Sequence, residues 1–230
     1  MASETQHNPL HQAQSLEAIV RKRHSVRFYT EQDVDEQVLR ECVELAQLAP
    51  SNSNMQNWRL ALARGDARKR IVAALRAEAE VKGPKVPPLP EAFTHFRSDL
   101  GHKLYGEEGY DIKREDKERH RQATLRNYEF FGAPVCGVIS MHSDLTSVDA
   151  MSVGMFVQTF VLALTERGLG ACLQVSVTGY PEILRREFRL ADEQQILCGI
   201  AIGHPLSESK VNKLIMSREA IDKQVTFLND

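Results

Sequence analysis

Apolar residues recur along this chain in two rhythms. In "DEQVLRECVELAQLA", Val38, Leu39, Cys42, Leu45, Ala46 and Ala49 fall on one face at helical spacing, which predicts an amphipathic helix from Asp35, stopped by Pro50. "SLEAIVRKR" predicts an earlier helix with Ser15 as its N-cap. "ARKRIVAALRAEAE" predicts another, with Ile71, Val72, Leu75 and Ala79 inward. "GYPEILRREF" predicts a short one, with Pro181 near its start. The strand rhythm appears in "WRLALAR", "APVCGVISM", "ACLQVSV" and "QQILCGIAIG". Helices alternate with near-continuous apolar strands, which suits a sheet covered on both faces. Four strands are thin for such a sheet.

Three stretches break the pattern. Met151 to Thr165 contains no charge. Fifteen residues are too few for a bilayer, which needs roughly 20, so "SVDAMSVGMFVQTFVLALTERG" is expected to be a deeply buried helix ended by Gly168 and Gly170. "GPKVPPLP" breaks the chain between Gly83 and Pro90, and residues 83–131 are highly charged. They have too few apolar residues for a core of their own and predict an insertion or lid within one domain spanning 1–230, helical chiefly in "REDKERHRQATLRNYEFF". The tail, residues 206–230, alternates weakly and has little that can pack alone.

Composition narrows the class. Among 230 residues, 42% are hydrophobic, 26% are charged and the formal net charge is −2, as in an ordinary globular protein that needs no staples. That balance gives no support to broad attraction to nucleic acid or a membrane. Cys42, Cys136, Cys172 and Cys198 lie far apart, with no CxxC and no His at ligand spacing; they read as buried thiols in a reducing compartment such as the cytoplasm, and no metal site is assigned. The polar opening "MASETQHNPLHQAQ" lacks the apolar core of a signal peptide.

The candidate chemistry begins at "RKRHSVRFYT". A helix C-terminus accounts for Arg21, Lys22 and Arg23 through the helix dipole. Arg27 lies past that helix. Arg23, Ser25 and Arg27 alternate, so an extended segment would point all three one way, and two guanidinium groups with a hydroxyl suit a phosphate or a planar anion. GxGxxG and Walker A patterns are absent. A second polar patch, "APSNSNMQNW", follows one helix later.

"RHSVRFY", "APSNSNMQNW", "RGLGACLQ", "CGIAIGHP" and "NKLIMSRE", in this order and spacing, resemble the motifs of the FMN-dependent nitroreductases from about residue 15 onward. Departures are Asn57 in place of a usual proline, an 83–131 region without a close match, and "LQVSVTG" without the glycine often found beside the flavin. The resemblance implies an α+β, three-layer αβα sandwich whose mixed sheet has four core strands and a fifth from the partner's tail. It implies a homodimer binding FMN at its interface, with NADH or NADPH and a small aromatic acceptor as substrates used in turn at one site.

The resemblance also assigns residues. Arg23 and Arg218 match phosphate-binding arginines. His24 and Ser25 match positions on the ribityl chain or phosphate, and Arg27 a cation at the flavin's pyrimidine edge, where it favours the reduced form. Pro50, Ser51, Asn52 and Asn54 match a loop that reaches the partner's FMN, although Pro-Ser-Asn would also make an ordinary turn. Leu173, Gln174, Val175 and Ser176 match the strand lining the isoalloxazine. Gln56 and Gln158 are flavin contacts or satisfied polar groups, and Trp58 reads as core. No protein acid or base is assigned. Nitroaromatic or quinone-like reduction is the main reading. Relatives on the same scaffold carry out reductive dehalogenation, flavin breakdown or azoline oxidation. A non-catalytic nucleotide- or nucleic-acid-binding protein is the rival from another class.

Overall fold

The structure, a computed structural model, describes residues 14–229. Four strands form one sheet: β1 (Arg59–Ala63), β2 (Val135–His142), β3 (Gly170–Gln174) and β4 (Gln194–Gly203), in spatial order β1-β2-β4-β3. All three pairings are antiparallel. The mixed character expected of the sheet therefore resides, among the described residues, in one isolated parallel bridge between Ser25 and Ala171. Consecutive strand residues face opposite layers. Val135, Ile139, Ile200 and Ile202 join one buried cluster, and Cys136, Val138, Cys172 and Ala201 the other.

The described residues hold seven α-helices: α1 (Leu16–Lys22), α2 (Glu36–Ala46), α3 (Gly65–Lys82), α4 (Thr94–Tyr105), α5 (Lys117–Leu125), α6 (Ser147–Glu166) and α7 (Pro181–Phe188). Helices α1 and α2 pack with α6 on one face, and α3 packs with α5 and α7 on the other, giving the α+β three-layer sandwich. The caps follow the sequence: Ser15 accepts from the Ala18 N–H and Asp35 from the Gln37 N–H. Helix α2 ends at Ala46, four residues before Pro50, because tight turns close it first.

Helix α6 differs from the expectation of deep burial. Val153, Phe156, Phe160 and Leu164 sit in the core, and Trp58 stacks on Phe156 at 4.9 Å. The opposite side is open: Met151 is 63% exposed, Val148 59%, and Gly154 and Gln158 are exposed as well. The helix, uncharged from Met151 to Thr165, thus keeps one bare stripe. "ACLQVSV" also differs, because β3 stops at Gln174 and Val175 leads into a 3-10 turn at Ser176–Gly179.

Candidate functional site

Residues 23–29 leave α1 in extended conformation and run along the outer edge of β3. The Val26 N–H donates to the Ala171 carbonyl at 3.1 Å, and the Thr30 N–H to the His204 carbonyl at 2.9 Å. Val26 is buried and lies against Gly170, where an added Cβ would come within 2.5 Å of the Val26 side chain. Only glycine permits that approach, which explains the second glycine of "GLG". Tyr29 fixes the far end: its hydroxyl donates to the Val26 carbonyl at 2.7 Å, and burial raises its pKa well above the ordinary phenol value.

The segment is locked by Asn212. Its Oδ1 accepts from the Arg27 and Phe28 N–H groups at 2.9 and 3.2 Å, and its Nδ2 donates to the Phe28 and Leu206 carbonyls at 2.7 and 3.1 Å. Every donor and acceptor of this buried amide is used for backbone. Asn212 opens the "NKLIMSRE" motif, but nothing in the sequence marked it as this lock.

The alternation expected of Arg23, Ser25 and Arg27 is only partly realised. Ser25 and Arg27 both lie near the buried Cys172 thiol: burial raises its pKa, and Arg27 and Ser25 oppose that rise. Arg23 instead lines a shallow cleft with Lys22, His24, Val26 and Gly170. The backbone rotates at the end of α1, where Arg23 serves as its C-cap. His24 Nδ1 lies 2.8 Å from the Lys22 carbonyl. Among the described residues, neither Arg23, Arg27 nor Arg218 has a carboxylate partner within ion-pair distance. Arg218 is exposed and donates only to the Met216 and Ser217 carbonyls, without a contact to Arg23.

Residues 51–57 form a tight polar loop docked on the start of α6. Ser53, Asn54 and Gln56 have φ of 49°, 55° and 49°, a region sparsely populated by residues other than glycine. The loop is held by side chains. Ser51 Oγ accepts from the Gln56 N–H at 3.0 Å, the Asn52 N–H donates to Ser152 Oγ at 3.2 Å, and Asn57 Nδ2 donates to the Asp149 carbonyl at 3.0 Å. Asp149 caps α6 through the Thr146 N–H at 3.0 Å and accepts from Asn52 Nδ2 at 3.4 Å. Pro50, Asn52 and Asn54 remain exposed beside the bare stripe of α6 that carries Gln158.

At the end of β3, Leu173 and Val175 are 46% and 52% exposed, whereas Gln174 is buried. Gln174 Nε2 donates to the Asn127 carbonyl at 2.8 Å, and its Oε1 has no partner. Ser176 is half-buried in the turn that follows. The structure thus brings residues 23–29, the end of β3 and Asn212 together in one chain. It leaves the 50–54 loop, Gln158 and Arg218 on exposed surface.

An extended, rigidly held segment with arginines free of carboxylates beside an exposed apolar strand end can take a ligand with an anionic group and a flat apolar body. FMN has both features, and the residues fit it on that ground. The fold and these residues define an α+β domain built for an anionic cofactor. Comparison with known proteins makes the assignment specific: the model of the nitroreductase family matches residues 20–204, and the chain belongs to that family. It is 33% identical over 214 residues to a 4-nitrobenzoate reductase of Pseudomonas putida, spanning 89% of this chain and 91% of that protein. It is 30% identical to a nitrobenzene nitroreductase of Ectopseudomonas oleovorans, over 94% and 97% of the two. The crystal structure of the FMN-dependent nitroreductase NfnB from Mycobacterium smegmatis, in complex with NADPH, superposes with a TM-score of 0.85 at 27% identity, covering 93% of this chain and 97% of that one. The FMN- and NADPH-dependent NfnB of a Sphingopyxis strain superposes with a TM-score of 0.88 at 29% identity, covering 94% and 100%.

Proposed function

We propose that this protein is an FMN-dependent oxidoreductase that uses NADH or NADPH to reduce small nitroaromatic or quinone-like acceptors, with the two substrates taking turns at one site. The observation that carries the reading is the pair Arg23 and Arg27, without carboxylate partners among the described residues, on a segment pinned to β3 within the nitroreductase fold. Bound FMN would supply the hydride chemistry. Arg23, with His24, would hold its phosphate, joined by Arg218 when the tail closes. Arg27 would place a fixed cation at the pyrimidine edge, where negative charge grows on reduction. Leu173 and Val175 offer apolar surface to the flat ring, with Gln174 and Ser176 framing it. No side chain is assigned as acid or base.

The same reading makes the protein a homodimer. The bare face of α6, the exposed Leu16 and Val20 of α1, and the free edge of β1 are surfaces that a lone chain leaves uncovered. Residues 206–214 pack on their own chain, with Val211 and Asn212 buried. The crossing segment is therefore 215–229, where Ile215, Ile221, Phe227 and Leu228 are exposed and can add a fifth strand to the partner. Across that interface Pro50, Ser51, Asn52, Asn54 and Gln158 would reach the partner's FMN. Four unpaired cysteines fit a reducing, cytoplasmic setting.

The test is direct. The purified protein should be yellow, release FMN on denaturation, sediment as a dimer and oxidise a nicotinamide only with an acceptor such as 4-nitrobenzoate present. A colourless protein that binds RNA with steep salt dependence would refute the enzyme and favour a nucleic-acid-binding protein.

A further inference from the structure

Arg126 lies at the C-terminus of α5, inside the 83–131 insertion for which the family motifs offer no counterpart. Its Nη2 donates to two carbonyls at once, that of Arg27 at 3.0 Å and that of Phe131 at 3.1 Å. Its guanidinium lies 4.1 Å from the centroid of the Phe28 ring. Its Nε is buried without an acceptor, beside the equally unpartnered Tyr110 hydroxyl, and Tyr110 packs on Phe28 at 5.7 Å. Arg126 is half-buried, and a buried donor left unmade is a cost that the fold would shed if only stability mattered.

What Arg126 joins is specific. Phe130 and Phe131 have φ of 49° and 55°, followed by Gly132 at 79°, so three consecutive residues hold left-handed conformations. For two phenylalanines that is strained backbone, and Arg126 clamps the carbonyl of the second. The Phe131 ring is also the surface beside which Arg27 rests, 6.0 Å from guanidinium carbon to ring centroid. Arg126 therefore fixes both the peptide from which Arg27 projects and the turn carrying the ring it rests beside.

We infer that Arg126 is a positioning residue for Arg27: the double carbonyl bond and the stack on Phe28 set where the Arg27 cation sits relative to the flavin, and so how strongly the site favours reduced over oxidised FMN. This rests on the proposed flavin reading of Arg27. Lysine at 126 would keep the charge but lose the flat guanidinium that stacks on the Phe28 ring and holds Nη2 in place between the two carbonyls.

The experiment measures FMN reduction potential and oxidised-FMN affinity in the holoenzyme for wild type, R126M, R126K, R27Q and the R27Q/R126M double variant. R126M should weaken binding of reduced FMN relative to oxidised FMN by roughly tenfold, as expected for loss of bonds to a charged group. R126K should recover part of that, and R126M should add nothing in the R27Q background. An equal drop in the R27Q background would overturn the inference, because Arg126 would then act without Arg27. So would an unchanged potential in R126M alongside a lowered one in R27Q. An unchanged potential in R27Q itself removes Arg27 from the flavin edge; it fails the flavin reading first and overturns the inference with it. Should R126M not fold, R126K in both backgrounds completes the same cycle.

Discussion

The side chain of Asn212 accepts the backbone N–H of Arg27 at 2.9 Å, joining positions 185 residues apart. The same amide also receives the Phe28 N–H and holds the Phe28 and Leu206 carbonyls. A small change there should reach the cofactor without touching it. Asn212→Ala leaves the Arg27 and Phe28 N–H groups without their acceptor, at about 2–4 kcal/mol. Urea unfolding should show that loss, and FMN affinity should fall with it. Asn212→Asp keeps the two acceptor bonds but sets a carboxylate oxygen against the Phe28 and Leu206 carbonyls, so it should restore neither.

Arg218→Ala should weaken FMN affinity by roughly ten- to hundredfold, the range for a charge-assisted bond, while the melting temperature of the apoprotein stays put. Arg218 touches only the carbonyls of its own segment, so its removal breaks no packing. Equal FMN affinity in the two proteins would sever the tail from the phosphate.

Truncation after Leu214 should leave a folded chain and dissolve the dimer. The residues removed contribute no buried side chain to their own chain, whereas Asn212 and Val211 stay in place. Sedimentation of the truncated protein decides the matter; a dimer that remained yellow would contradict the crossing tail.

The carboxyl of Asp149 is held below the usual carboxylate range, chiefly by the Thr146 N–H, with the Asn52 amide and Thr146 hydroxyl adding to it against burial. A carboxylate with a folded pKa below its unfolded value contributes stability that is fully present above roughly pH 4 and is lost as pH falls through the folded value. Asp149→Asn should therefore flatten the dependence of the urea midpoint on pH between about 6 and 3. It should also loosen the 51–57 loop, which hydrogen-exchange protection would register.

Burial pushes the thiols of Cys42 and Cys198 up to about 11 and that of Cys136 to about 12, and raises Cys172 as well. Thiolate is the reactive form, so none of the four should react quickly with an alkylating reagent near pH 8, and all four should do so in denaturant. Fast labelling of Cys172 alone would mean that the 23–29 segment opens on that timescale.

The sequence by itself determined the four strands and the helices outside residues 83–131 in their order; α4, inside that region, it did not mark. Ser15, Asp35 and Pro181 mark helix starts because capping is local, and the runs in β2 and β4 read as strands because both faces of each are buried. The motif order also marked residues 23–29 and the end of β3, which the structure places side by side. Tertiary structure alone decided the rest. Arg23 caps the end of α1 and lines a cleft with Val26, whereas Ser25 and Arg27 both lie near Cys172, which strict alternation could not anticipate. The stripe of α6 with Met151 and Gln158 reads as core in sequence, because an exposed apolar stripe has the same composition as a buried one. Arg126 gave no signal at all, and Asn212 gave none of its role beyond opening the "NKLIMSRE" motif. Their roles consist of hydrogen bonds to main-chain atoms far along the chain, and a partner's main chain carries no side-chain signature to read.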